Sequence, residues 1–142
     1  MNLFDLRILN TKKLVNIESS RDHFFSLYKE GYVTRTKMQN RDIFNCDIVW
    51  NEYTYDTFFI FKEGKFSINL IWKDGPLTKV VWEEVSLNLL NKEYLILRKS
   101  YERYFETVPN IKKNEIMWSI CGNHKLTLAK NIRDYSVITF IE

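Results

Sequence analysis

Thr57-Phe58-Phe59-Ile60-Phe61-Lys62-Glu63-Gly64-Lys65-Phe66-Ser67-Ile68-Asn69-Leu70-Ile71-Trp72 reads as a β-hairpin. Two runs rich in β-branched and aromatic residues flank Glu63-Gly64, and the glycine supplies the positive φ that a tight hairpin turn needs. If Phe61 faces Phe66, the same register sets Phe59 opposite Ile68. One side of the pair then carries Phe59, Phe61, Phe66, Ile68, Leu70 and Trp72, enough apolar surface to found a core. The other side carries Phe58, Ile60 and Ile71. One reading of this second apolar surface is a stacking platform for single-stranded RNA. The expectation is instead that helices cover both faces of the sheet, or that the sheet curls over it. Lys73-Asp74-Gly75-Pro76 closes the hairpin with turn chemistry.

Before the hairpin, Cys46, Ile48 and Trp50 alternate with Asn45 and Asp47, the pattern of a half-buried strand. Earlier still, Ser19 or Ser20 can cap a short helix, with Asp22 in its first turn and Gly31 as its stop. Phe24, Leu27 and Tyr28, with Phe25 beside them, lie on the side expected to pin it to the sheet. The opening segment fits either two short strands, around Phe4 to Ile8 and Val15 to Ile17, or a helical start. After the hairpin, Leu87, Leu90, Tyr94, Leu97, Tyr101 and Tyr104 recur at steps of three and four, predicting a helix from about Ser86 to Glu106. Pro109 blocks its continuation. Ile116, Trp118 and Ile120 alternate before the Gly122-Asn123 turn, Leu126 and Leu128 after it, and Tyr135 to Ile141 forms a last strand.

No repeat, linker or low-complexity tract divides the 142 residues. The chain is therefore expected to be a single α+β domain, residues 1–142. Its core is an antiparallel sheet of about five to six strands, with the long helix packed on one face and a short N-terminal helix before it. A chain of this size hides roughly two-thirds of its unfolded surface, so it needs no staple. Cys46 and Cys121 are too few for a disulfide framework. Met1-Asn2-Leu3-Phe4-Asp5 lacks the basic and apolar regions of a signal peptide, and no run is long enough to span a membrane. A cytoplasmic protein with reduced thiols is the expectation. Scarce alanine (only Ala129) with abundant Asn, Ile and Lys suggests AT-rich coding, as in many bacteria and phages.

Charge excludes little. The net charge is +3, from 21 basic and 18 acidic residues, and no basic block exceeds two residues. Nucleic-acid binders concentrate charge on one face, so nucleic acid is not the expected partner. No phosphate-binding loop is present, because Gly31, Gly64, Gly75 and Gly122 are far apart. Cys121 and His124 share a turn, but a zinc site would need two more soft ligands, and only Cys46 and His23 remain. No metal or cofactor is expected. Asp42, Asp47, Glu52 and Asp56 fall in one stretch. Asp56 followed by Glu63-Gly64-Lys65 superficially resembles metal-dependent nucleases of the restriction-enzyme type, in which two acids hold a divalent metal and a lysine aids the attacking water. A turn position for Glu63 speaks against it.

With no catalytic motif, the leading expectation is a non-enzymatic protein-binding module. Its sharpest form is an inhibitor that neutralises a toxin or effector protein, as an immunity protein or antitoxin does. The alternative is a nucleic-acid-binding or metal-dependent nucleic-acid-cleaving protein using Asp56, Glu63 and Lys65. A third reading is a small-molecule enzyme with His23 or His124 as acid or base. For the partner surface, Glu52, Tyr53 and Tyr55 stand out: two tyrosines among polar neighbours, able to give contact area at low entropy cost. Alternatively the segment continues a strand, with both tyrosines over the edge of the core.

Overall fold

The structure, a computed structural model, describes residues 4–81 and 86–142. Met1 to Leu3, part of the N-terminal segment judged not to be a signal peptide, lie outside the described residues. Ten strands and two helices follow in the order β1 (Leu6–Ile8), β2 (Leu14–Val15), α1 (Arg21–Lys29), β3 (Thr34–Met38), β4 (Arg41–Trp50), β5 (Tyr53–Lys62), β6 (Lys65–Trp72), α2 (Leu87–Tyr104), β7 (Asn110–Ile111), β8 (Glu115–Ser119), β9 (Lys125–Asn131) and β10 (Ser136–Ile141). The ten strands belong to one antiparallel sheet, ordered β2-β1-β4-β5-β6-β10-β9-β8-β7, with β3 also paired to β4.

The expected five or six strands are thus corrected to ten. The additions are the strands with least apolar patterning. β3 is Thr-Arg-Thr-Lys-Met, whose five residues include no buried one, and β2 and β7 are two residues long. They lie on the sheet's margins, where one-sided burial does not write itself into the sequence. The N-terminal segment takes the two-strand form, with Leu6 opposite Val15.

The central hairpin has the anticipated register, with Phe61 opposite Phe66 and Phe59 opposite Ile68. Glu63 and Gly64 both take positive φ, 50° and 76°, as a two-residue turn of mirror-image type requires. The two helices start on serine caps: Ser20 Oγ accepts from His23 N and Ser86 Oγ from Leu89 N. Both helices lie on the same side of the sheet. Phe24 of α1 packs against Phe44, Phe59, Phe61 and Phe66. Tyr101 of α2 packs against Trp50 and Trp118, and its hydroxyl bonds to Tyr55 and Thr139. Every one of these sheet residues belongs to the face that carries the buried positions of β4, β5, β6, β8 and β10. The expectation of helices on both faces is therefore corrected: one face carries both helices and the core, and the other carries no helix among the described residues.

The chain has no repeated sequence, yet its element order repeats. α1 followed by the meander β3-β4-β5-β6 is matched by α2 followed by β7-β8-β9-β10. The meanders join through their last strands, β6 and β10, at only three residue pairs: Ile68 with Ile141, Asn69 with Phe140, and Leu70 with Thr139. No helix among the described residues is long and apolar enough to cross a membrane.

Candidate functional site

The structure separates most of the groups that the sequence suggested could act together. Asp56 lies in β5 and Glu63 in the turn seven residues on, about 23 Å along the strand at roughly 3.3 Å per residue. They cannot hold one metal. Glu63 instead accepts from Asn40 Nδ2 at 2.8 Å. Cys121 is buried, and His124 turns its Nε2 toward Glu18 at 3.6 Å. Cys46 sits in β4 and His23 in α1, and among the described residues no three His, Cys, Asp or Glu side chains group as metal ligands. Burial and two neighbouring carboxylates, Asp47 and Asp56, push the Cys46 thiol up to about 12, the opposite of what a nucleophile needs.

The expected partner segment is also rearranged. Asn51 and Glu52 form a left-handed turn, at φ 47° and 78°, between paired Trp50 and Tyr53. Asn51 Nδ2 donates to Ser100 Oγ at 2.9 Å, pinning this turn to α2. Tyr55 is 0 % exposed, deeper than either a partner surface or the edge of the core would place it. Its hydroxyl accepts from Tyr101, and burial raises its pKa far above the ordinary value. Tyr53 lies half-buried against Trp72, ring centroids 4.5 Å apart. Of the three, only Glu52 is exposed, 3.7 Å from Arg103. Strand alternation explains the outcome. Tyr53 and Tyr55 point to the core side, while Thr54 and Asp56, the neighbours that made them look exposed, point the other way.

Asp42 is spent on structure. It is 6 % exposed, takes two hydrogen bonds from Arg35 and one from Arg21, and so ties α1 and β3 to β4. The bonds from Arg35 hold its carboxyl below the usual carboxylate range against the opposing effect of burial.

What the fold does bring together is the helix-free face. Phe58 and Ile60 of β5 and Ile71 of β6 are joined there by Ile43 of β4 and by Ile138 and Phe140 of β10. All six are half-buried. Register orders the polar groups around this centre. At one end Arg41 stands directly opposite Lys62, and Lys62 opposite Lys65, three like charges in a row across three strands. Lys125 joins them around a hollow of about 710 Å³ that also takes in Glu63 and Glu142. Toward the other end Asp47 stands opposite Asp56. Lys73 Nζ lies 2.7 Å from Asp47, and Asn45 Nδ2 donates to Asp56 at 2.8 Å.

A second feature escaped the sequence reading. Glu93 of α2 is 2 % exposed, and Oε1 accepts from Leu77 N at 3.2 Å. Burial pushes its carboxyl up to about 7, and the amide bond only partly offsets this. The signal was available: position 93 falls three after Leu90 and four before Leu97, on the buried stripe itself. Comparison with known proteins found no matching family model, no matching curated protein and no matching solved structure.

Proposed function

We propose that this chain is a non-enzymatic protein-binding module whose helix-free sheet face docks a partner protein, and that the partner is a toxin or effector held inactive. The observation that carries the reading is the layout of that face: half-buried Phe58, Ile60, Ile71, Ile138 and Phe140 are interleaved with the polar Ser67 and Asn69 of β6, with Asp47 and Asp56 beside Ile71 and the basic row at the opposite end. Protein interfaces combine apolar and polar area in this way. A nucleic-acid surface would favour one sign throughout, to neutralise successive phosphates. Here Asp47 and Asp56 share the face with Arg41, Lys62 and Lys65. Like charges directly opposite on paired strands weaken a sheet. The basic row therefore fits an acidic patch on the partner, which would both offset the repulsion and fix the register of docking.

A photo-cross-linking residue at position 58, activated in cells, tests the proposal. The expected result is one discrete protein adduct that disappears with Ile138→Asp. That protein, produced without this chain, should arrest growth, and co-production should relieve the arrest. Adducts with nucleic acid alone, or none from either position 58 or position 140, would overturn it.

A further inference from the structure

β5 pairs with β6 as far as Trp72, and β9 with β10 as far back as Ser136, but β6 and β10 pair with each other only from Leu70 and Thr139 inward. Where they part, a cavity of about 290 Å³ opens, with Glu93 in its wall. Ile71, Leu77, Val137 and Ile138 supply apolar lining, and Ser136 and Thr78 also line it, the Thr78 hydroxyl donating to the Lys73 and Gly75 carbonyls of its own loop. The carboxyl is almost fully shielded, yet it receives one hydrogen bond, at Oε1, and no cation approaches it among the described residues. Gly75 packs so closely on the carboxyl that a Cβ there would overlap Glu93 Oε1, so the loop after β6 is shaped to admit this group.

We infer that this cavity binds a primary ammonium group on an aliphatic stem, with Glu93 as its counter-ion. A buried carboxylate with one hydrogen bond is costly unless a charge partner completes it. Leu77 N already occupies Oε1, which leaves the second oxygen for a single point donor. An ammonium is such a donor, whereas a guanidinium gains most by engaging both oxygens at once. One carboxylate with two hydroxyls is a poor set for a divalent metal. The apolar lining takes the stem.

The ammonium could be supplied by a free aliphatic amine or by a lysine of a docked protein, since Ile71 and Ile138 belong to both the cavity and the helix-free face. Only the lysine source rests on the docking reading. In the absence of an amine a proton holds the site up to about pH 7, so binding must displace it. Ionisable groups on the surrounding elements include Lys92, Tyr94, Arg98 and Tyr101 of α2, Tyr135 before β10, and Lys73, Asp74 and Lys79 of the loop after β6. The Tyr101 phenol, raised to about 12 by burial with a contribution from the charge of Glu93, stays neutral throughout.

The test is a titration of the whole chain, ¹³C-labelled at the glutamate carboxyls, with n-butylammonium chloride and with n-butanol as the uncharged control. The inference expects a saturable shift of the Glu93 signal with the amine alone, affinity rising about tenfold from pH 6 to pH 8, and loss of binding in Glu93→Gln. Saturation by Nα-acetyl-lysine methylamide as well would assign the site to a lysine side chain, and saturation by butylammonium alone to a free amine. No saturable shift, equal binding of butanol, or undiminished binding to Glu93→Gln would overturn it. Failure here leaves the cross-linking result at position 58 standing, and the reverse holds too.

Discussion

At the scale of single residues, two buried carboxyls pull stability in opposite directions with pH. Glu93 is raised in the folded state, so the fold binds its proton more tightly than the unfolded chain does. The contribution of neutral Glu93 is complete below the unfolded value near 4.5 and is lost as pH rises through about 7. The loss amounts to about 3 kcal/mol. Glu93→Gln should therefore be close to the parent at pH 5 and more stable than it at pH 8, as read by urea midpoints at the two pH values. Asp42 is lowered, first by its bonds from Arg35, so its contribution is present above the usual carboxylate range and is lost on acidification. Asp42→Asn should flatten the acid limb of the same curve. Glu93 was legible in the sequence, because helical spacing puts it on the Leu90–Leu97 stripe. Tyr55 was misleading: its polar neighbours belong to the opposite face, and only the phase of the strand separates them.

At the scale of elements, the strongest periodicities carried the most information. The α2 stripe is buried at Leu90, Tyr94, Leu97 and Tyr101, while its end positions, Leu87 and Tyr104, are exposed. Leu97→Ala should cost about 2–5 kcal/mol as a core truncation. Leu95→Ala, at a side chain 48 % exposed on the same helix, should fall within about 0.5 kcal/mol of the parent. Equal losses in thermal melts would contradict the helix phase. In the central hairpin a Cβ on Gly64 would meet nothing, but φ of +76° strains any other residue. Gly64→Ala should cost about 1 kcal/mol through the backbone alone. Hairpin register was readable because aromatic pairs and a Glu-Gly turn fix it locally. β3 was not, because its residues are mostly polar on both sides, and the Arg35–Asp42 pair that ties it to β4 joins two residues seven apart with no periodic signature.

At the scale of the whole molecule, the two meanders join at three residue pairs between strands some seventy positions apart, and nothing local in the sequence encodes that seam. The seam nevertheless sets the function proposed here. It sets Phe140 across Asn69 from Phe58 and brings Ile138 toward Ile71, and it leaves the basic row of Arg41, Lys62 and Lys65 at one end of this face. A net charge of +3 hid this row, since the sequence spreads its members over twenty-five positions and the fold gathers them onto adjacent strands. If the row is retained for an acidic partner, relieving it must help the isolated protein and harm the complex. Lys62→Glu places an acid between Arg41 and Lys65 and should raise stability by a few tenths to about 1 kcal/mol. The parent, but not the variant, should gain stability as salt rises from about 0.05 to 0.5 M, because salt screens the repulsion. The same variant should lose capture of the protein cross-linked at position 58, chiefly through slower association. A variant that is less stable in low salt, or that captures its partner at the parental rate, would show that the three cations are a solvated edge with no partner to answer them.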